Sequence, residues 1–336
     1  MPESGPRVAV LGASGYAGAL AAALLTRHPA FQLGAASARS DAGRRLDHLY
    51  PHHRVAIELV SPDTLDPGGF DAAIVAYPHM AAAPVVAAWR SAGVKVVDLS
   101  ADFRLRDVGT YGEWYGAHPE AELIAEAVYG LPELYRTAIR EASLVANPGC
   151  YPTATILALA PLARAGLIGD LVIDAKSGVS GAGRAATEAT HFVSVDENVR
   201  AYKVPRHRHT PEIEQELAAL GNPVTITFTP HLLPLDQGEL VSCYVTLTEP
   251  DRSETELRDL YADAYREEAF IETVDTLPGV RDVRDTNICR IGLHKDERTG
   301  RAIVFGAIDN LWKGTASQAI QNLNLMFGYA EGLGIG

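Results

Sequence analysis

Arg7-Val8-Ala9-Val10-Leu11-Gly12-Ala13-Ser14-Gly15-Tyr16-Ala17-Gly18 stands near the start of the chain and decides its fold. Its apolar opening reads as a buried strand, and the Ala/Leu-rich residues 19–26 that follow read as a helix. Between them the glycines make a tight turn whose backbone can approach a pyrophosphate at a helix N-terminus. Strand, glycine turn and helix in this order form a dinucleotide fingerprint, although a ligand-free turn between strand and helix has the same outline. Gly12, Ser14, Gly15, Tyr16 and Ala17 are its candidate cofactor contacts.

Working outward, residues 31–36 read as a second strand. An NAD-binding chain usually places an acidic residue near that strand's end to hold the ribose hydroxyls. Here the residues are Ser37, Ala38, Arg39 and Ser40, with Arg44 and Arg45 close behind. Ser37, Arg39 and Ser40 suit a 2′-phosphate, which favours NADP(H), although a solvated loop has a similar composition. Strands are expected over 55–60, 72–76 and 94–99, with a helix over 81–91. That alternation implies a parallel sheet whose ligands lie beyond the strand C-termini. Two of those ends carry Tyr77-Pro78-His79 and Leu99-Ser100-Ala101-Asp102-Phe103-Arg104, where Arg104 could hold a phosphate bidentately. Residues 111–118 read as an aromatic loop and residues 128–133 as a turn-rich segment.

The second decisive stretch is Ala146-Asn147-Pro148-Gly149-Cys150-Tyr151-Pro152-Thr153. A short apolar strand over 143–146 precedes it and an apolar helical pattern over 153–165 follows. Cys150 therefore stands where a strand ends and a helix begins. Free N–H groups and the helix dipole favour a thiolate there, whereas a lone cysteine is otherwise most often a small core residue.

After the cysteine the pattern changes. Residues 171–176, 224–229, 239–248, 287–294 and 302–308 read as strands without regular helical crossovers, with one clear helix over 253–268. The expected architecture is α/β: a Rossmann-type parallel-sheet domain plus an α+β domain with a largely antiparallel sheet, which the family resemblance given below makes the catalytic and dimerisation domain. The NADP-binding domain is expected over residues 1–149 and again over 310–336, where the last helix, 315–329, packs back on it. The second domain is expected over 150–309. Lys176-Ser177-Gly178-Val179-Ser180-Gly181-Ala182-Gly183-Arg184 is a glycine/serine loop suited to anions. In His207-Arg208-His209-Thr210-Pro211-Glu212, Thr210 reads as a helix N-cap and Pro211 as the first helical residue. His209 would then lie just outside a helix start, where a histidine stays neutral more readily and can serve as acid or base. A charged loop, or a pair of zinc ligands, is the plainer account of the two histidines.

Composition limits the partners. A net charge of −13 over 336 residues argues against nucleic acid or an anionic membrane as the main partner. Cys150, Cys243 and Cys289 are far apart, lack metal-ligand spacing and suit free thiols in a reducing, cytoplasmic setting. No metal site is expected. Residues 1–6 are short and polar, with neither a signal-like nor a membrane-length apolar run.

Taken together, the glycine loop, Leu99–Arg104, Tyr129-Gly130-Leu131-Pro132, the cysteine stretch, the Ser177–Arg184 loop, His207–Glu212 and Asp309-Asn310-Leu311-Trp312-Lys313-Gly314 resemble the N-acetyl-gamma-glutamyl-phosphate reductases. These belong with the aspartate-semialdehyde dehydrogenases, and the motifs run in family order through essentially the whole chain. Ala17, where threonine is common, and Tyr77, where leucine is common, depart from the family pattern. The resemblance implies an NADPH-dependent enzyme of arginine biosynthesis that reduces N-acetyl-L-glutamyl 5-phosphate to the 5-semialdehyde through a cysteine thioester, and that assembles as a homotetramer or dimer. Cys150 would be the nucleophile and His209 the acid/base, with His207 the alternative and Glu212 an orienting carboxylate. Arg104, Asn147, Ser177, Gly183 and Arg184 are substrate candidates, and Ser180, Gly181, Asn310 and Lys313 are further cofactor candidates. The related carrier-protein-linked reductase of lysine biosynthesis is the near rival, but that family tends to have Asn-Ala where this chain has Tyr151-Pro152. A non-catalytic NADP-binding regulator would lack the cysteine or histidine, and a thioester hydrolase would not need the dinucleotide fingerprint.

Overall fold

The computed structural model describes residues 5–336, so Met1–Ser4, part of the polar start and of the expected first domain, lie outside the described residues. The chain divides into two compact units: the first runs to Gly149 and resumes over Thr315–Gly336, and the second is Cys150–Gly314.

The first unit is built on six strands: β1 (Arg7–Leu11), β2 (Gln32–Ser37), β3 (Ala72–Val75), β4 (Lys95–Asp98), β5 (Ala127–Tyr129) and β6 (Leu144–Ala146). They lie in the order β2-β1-β3-β4-β6-β5, with every pairing parallel. The order reverses between β1 and β3, so the residues after these two strands face the crevice where open α/β sheets take ligands. Val8, Ala9, Val10 and the whole of β3 have no exposed surface, the continuous apolar pattern of a sheet covered on both faces.

Three local expectations differ from the structure. Residues 55–60 make only isolated bridges, Val60 with Ser37 and Glu58 with Arg45, because they run past the end of β2 without entering the sheet. The aromatic stretch 111–118 lies largely in a helix, Val108–Tyr115, whose N-cap Asp107 accepts from the Thr110 N–H; Tyr111 and Tyr115 stack one turn apart. Residues 128 and 129, expected within a turn-rich segment, belong to the edge strand β5.

The glycines of the first turn meet different demands. Gly12 has φ +88°, and a Cβ there would lie 2.5 Å from the Ala76 carbonyl oxygen. A Cβ on Gly18 would lie 2.4 Å from the Gly12 oxygen, where the helix Tyr16–Arg27 crosses its own turn. At Gly15 the nearest atom would be 3.6 Å away, so packing does not require glycine there and the space stays open. Gly12→Ala should therefore cost roughly 1–3 kcal/mol or more, because a left-handed backbone and a clash with β3's exit act together. A thermal melt should show a lower transition, and the stabilisation by added NADPH should shrink with it. An unchanged melt would contradict this account of the turn.

The second unit carries β7 (Ile168–Ser177), β8 (Arg200–Ala201), β9 (Ile226–Leu232), β10 (Glu239–Leu247), β11 (Ile271–Val274), β12 (Cys289–Asp296) and β13 (Arg301–Ile308). Their order is β11-β12-β13-β10-β7-β9-β8; the pairs β11–β12 and β7–β9 are parallel and the others antiparallel. The helix Cys150–Arg164 packs against this sheet, with Ile156, Leu157, Leu159 and Leu162 fully buried, each worth about 1.5–3 kcal/mol. Its approach to β13 requires Gly306, where a Cβ would lie 2.9 Å from the Ala154 oxygen. Among the described residues no helix is long and apolar enough to cross a membrane.

The return to the first unit comes at Thr315, five residues later than the expected 310, because residues 309–314 bond within the second unit. Asn310 Oδ1 accepts from Gly238 N at 2.7 Å, and Asp309 Oδ2 accepts from Asp285 N at 2.9 Å. From Thr315 onward the bonds change. Asn147 Nδ2 donates to the Thr315 oxygen, and Asn322 Nδ2 donates to Gly130 O and Asn147 Oδ1. The last helix is Ser317–Met326, entered through a π-helical turn over Trp312–Ala316.

Candidate active site

Cys150 is the first residue of its helix, three residues earlier than the pattern alone indicates. Its thiol is partly exposed, whereas Cys243 and Cys289 are sealed in the core. Burial drives the Cys243 thiol far up from its ordinary range, which leaves it unreactive. The N–H groups of a helix's first turn lack intrahelical partners, so Cys150 has what a buried thiol lacks: donors and a positive dipole end. Gly314 lies against it, where a Cβ would come within 2.9 Å of the Cys150 Cβ.

Tyr151, the next residue, is buried and joins the cysteine's helix to both histidines. Its ring meets those of His207 at 5.7 Å, His209 at 5.9 Å and Phe228 at 5.4 Å, and its hydroxyl accepts from that of Tyr202 at 3.3 Å. The residue type that separates this chain from the carrier-linked family thus braces the histidine segment. His207 is 6 % exposed, and burial, aided by Lys203 and Arg208, lowers its pKa to about 4. It is neutral at neutral pH, and its Nδ1 accepts from the His209 N–H at 3.2 Å, which leaves Nε2 as the protonated nitrogen. His209 is half-buried. It takes the N-cap position itself, and Thr210, expected there, is the first helical residue. Glu212 is buried in that helix's first turn. Among the described residues no three His, Cys, Asp or Glu side chains gather as a metal set would require.

One residue beside the cysteine carries no motif and escapes the sequence reading. Glu239 opens β10 with no exposed surface; its partner on β13, Ile308, and Cys150 both flank Gly314, which puts the carboxyl beside the thiol. Among the described residues neither carboxyl oxygen has a hydrogen-bond partner. Burial raises its pKa to about 8, opposed by the Cys150 thiol and assisted by the neighbouring Asp309. The signal lies in the strand's alternation: Val241, Cys243, Val245 and Leu247 share one buried face, and Glu239 is the acid on that face.

Several expected ligands have scaffold roles. Arg104 Nε donates to Asn147 O and an Nη to Leu99 O, both at 2.8 Å. Its visible work is to clamp the backbone leading into the cysteine rather than to present an open anion site. The rest of its motif behaves alike, since the buried Asp102 accepts from Met80 N, Ala83 N and the Tyr111 hydroxyl. Asn147 has no exposed surface and its carboxamide is held by Thr315 and Asn322. Ser177 is buried with its hydroxyl on Gly178 O, while Gly183 and Arg184 lie exposed on the loop that follows. Ser180 accepts from Asn310 Nδ2 at 3.0 Å, and a Cβ on Gly181 would lie 2.9 Å from Ser177 Oγ. Lys313 is fully buried, with its ammonium 5.6 Å from the Phe270 ring centre.

At the glycine turn, Ser14 O accepts from the Tyr50 hydroxyl at 2.7 Å, and Tyr16, the first helical residue before Ala17, meets the Tyr50 ring edge-on. Ser37 has no exposed surface, and its carbonyl oxygen accepts from Gly12 N and Ala13 N. Arg44 pairs with Asp41 and Arg45 with Asp47. Arg39 and Ser40 remain exposed, and the Arg39 guanidinium sits 5.8 Å from the Tyr77 ring centre.

Residues 7–142 match the family model described as semialdehyde dehydrogenase, NAD binding domain, and residues 150–310 match semialdehyde dehydrogenase, dimerisation domain. The chain is 47% identical over 340 aligned positions to the N-acetyl-gamma-glutamyl-phosphate reductase of Pelotomaculum thermopropionicum, covering 98% of this chain and 97% of that one. It is 49% identical to the reductase of the same name from Desulforudis audaxviator, at the same coverage. In fold it is similar to aspartate semialdehyde dehydrogenase II of Vibrio cholerae, with TM-score 0.75, 18% identity, and 97% and 99% of the two chains covered. The aspartate semialdehyde dehydrogenase of Candida albicans, solved with NADP, gives TM-score 0.70 at 16% identity and covers 98% and 100%.

Proposed function

Since the chain belongs to the N-acetyl-gamma-glutamyl-phosphate reductase family, we propose that Cys150 carries its reaction as a thioester. The protein is an oxidoreductase of arginine biosynthesis that reduces N-acetyl-L-glutamyl 5-phosphate to N-acetyl-L-glutamate 5-semialdehyde with release of phosphate. What supports the thioester is the position of Cys150, half-buried at a helix's first residue while the other thiols are sealed away. The sulfur attacks the acyl carbon and phosphate leaves. His209 passes a proton to the departing oxygen and takes a replacement from solvent. An acyl sulfur bond is needed because a free carboxylate is a poor hydride acceptor and a thiolate is a good leaving group. His207 positions His209 and keeps a donor hydrogen on Nε2, and Glu212 holds the helix end that presents them. Arg104 and Asn147 secure the backbone beneath the cysteine, and the exposed Gly183–Arg184 segment is left as the substrate contact.

The residues present suit NADP(H), since the space beside Gly15 is open and Arg39 is exposed at the end of β2. Gly12, Ser14, Gly15, Tyr16 and Ala17 would hold the pyrophosphate, and Arg39 with Ser40 the 2′-phosphate. NADPH supplies the hydride that reduces the acyl group. Arg39→Ala should weaken NADPH about 10–100-fold, the worth of a charge-assisted hydrogen bond, and leave NADH nearly unchanged. Titration of cofactor fluorescence measures both, and an equal loss for the two cofactors would remove Arg39 from that role.

Both relatives above are named for the N-acetylglutamyl reaction, which favours the free acyl phosphate over a carrier-linked one. The second unit's match to a dimerisation domain, and its exposed Phe192 and Val193, support a homo-oligomer, dimer or tetramer. The test of the activity runs the reaction in reverse. With semialdehyde and NADP at catalytic enzyme levels, sustained NADPH production should require inorganic phosphate; turnover that does not depend on phosphate, or none with it, rejects the assignment.

A further inference from the structure

The cycle above leaves one proton without a carrier, that of the Cys150 thiol. We propose that Glu239 is a further catalytic residue, whose buried carboxyl takes that proton as the sulfur attacks and returns it as the sulfur is expelled. This rests on the reading of Cys150 as the nucleophile.

The geometry is specific. The Glu239 carboxyl has no exposed surface, neither of its oxygens has a hydrogen-bond partner among the described residues, and it lies beside the Cys150 thiol, since its strand partner Ile308 and Cys150 both flank Gly314. A buried carboxyl left unsatisfied, with the reacting atom beside it, has no structural reason to be an acid: a leucine would fill the strand position at less cost. The start of β10 is pinned on both sides, Gly238 N donating to Asn310 Oδ1 and Gly178 N to Gly238 O, so the carboxyl is held in place. Asn310 and the Ser180 loop thereby act on the sulfur through Glu239. The ionisable groups facing the carboxyl are Cys150, Asp309, Tyr151 and Tyr202. The phenols stay protonated, being pushed well up by burial, and Asp309 adds negative charge that makes the carboxyl a stronger base. A carboxyl in its usual range is a poor acceptor for a thiol proton, whereas one raised to about 8 is matched to it.

The protons balance. In the first half, the S–H bond breaks as the S–C bond forms, the proton goes to Glu239, and phosphate departs with a proton from His209. In the second half, the C–S bond breaks as the aldehyde carbonyl forms, and the Glu239 proton returns to sulfur. One proton from solvent, through His209, is consumed per turnover.

The test needs no substrate, so it stands apart from the reductase assignment. The rate at which iodoacetamide alkylates Cys150 is followed against pH in the resting enzyme, with NADPH affinity as the check on folding. At pH 8, where the carboxyl is about half ionised, Glu239→Gln should react at least about tenfold more slowly than wild type, with its inflection at higher pH. Glu239→Asp, which keeps a more distant carboxyl, should fall between them. The opposite role, a carboxylate that merely repels the thiolate, predicts faster alkylation in the Gln variant. A Gln variant as fast as wild type or faster overturns the proposal. If Gln does not fold, an Asp variant as fast as wild type does so.

Discussion

Cys150→Ser should retain less than about one ten-thousandth of the wild-type rate while binding NADPH normally. The exchange changes one atom and little volume, so the helix Cys150–Arg164 and its contact with Gly314 should survive. What is lost is the chemistry. A serine hydroxyl is many orders of magnitude less acidic than a thiol, and neither a helix terminus nor a carboxyl at about 8 can ionise it. An oxygen ester formed by chance would also accept hydride less readily and expel a worse leaving group. Steady-state assays in both directions, with NADPH titration as the binding control, measure the loss. Substantial activity in the serine variant would mean that no covalent sulfur intermediate forms.

The second large effect is expected at His209. His209→Asn should lower kcat about 10²–10³-fold, the usual worth of a general acid, and change KM little. Alkylation of Cys150 in the resting variant should stay near wild type, because the sulfur's proton is handled elsewhere. His207→Gln is the contrast. Its ring, with a pKa near 4, has no proton to give at neutral pH, and its observed bond is to the His209 backbone. A loss of at most about tenfold is expected there, with the pH profile keeping its shape. If His207→Gln lost more than His209→Asn, the two roles would have to be exchanged.

These assignments show where sequence reasoning succeeds and where it stops. The glycine turn is legible because two of its requirements are local: the left-handed φ at Gly12 and the approach of Gly18 to the Gly12 oxygen. The boundary at the cysteine is legible for the same reason, with strand, Pro-Gly turn and helix adjacent in the chain. The return at Thr315 is expected too early, because what holds Asp309 and Asn310 in the second unit lies at Gly238, Ser180 and Asp285, far away in sequence. Residues 55–60 have strand composition, but they run past the end of β2 and meet it only at Val60, a path that composition does not report.

Site residues divide along the same line. Arg104 and Ser37 have the right chemistry for anions, yet one is tied to carbonyl oxygens and the other is turned into the core. Residue type says what a side chain can do, and only packing says whether it is already engaged. Glu239 is the converse case. Nothing near it in sequence points to Cys150, which lies on a different element. Its one mark is an acid on the buried face of a strand, a local conflict that foldable sequences keep for functional reasons.

The covalent role of Cys150 is tested most directly by withholding phosphate. Semialdehyde and NADP mixed rapidly with enzyme should give one burst of NADPH, equal to the number of subunits, and then stop. Peptide mass analysis of the stalled enzyme should find a single N-acetylglutamyl group on Cys150, which added phosphate removes as turnover resumes. A burst without that adduct, or steady NADPH production that ignores phosphate, would contradict the thioester and with it the sulfur's part as nucleophile.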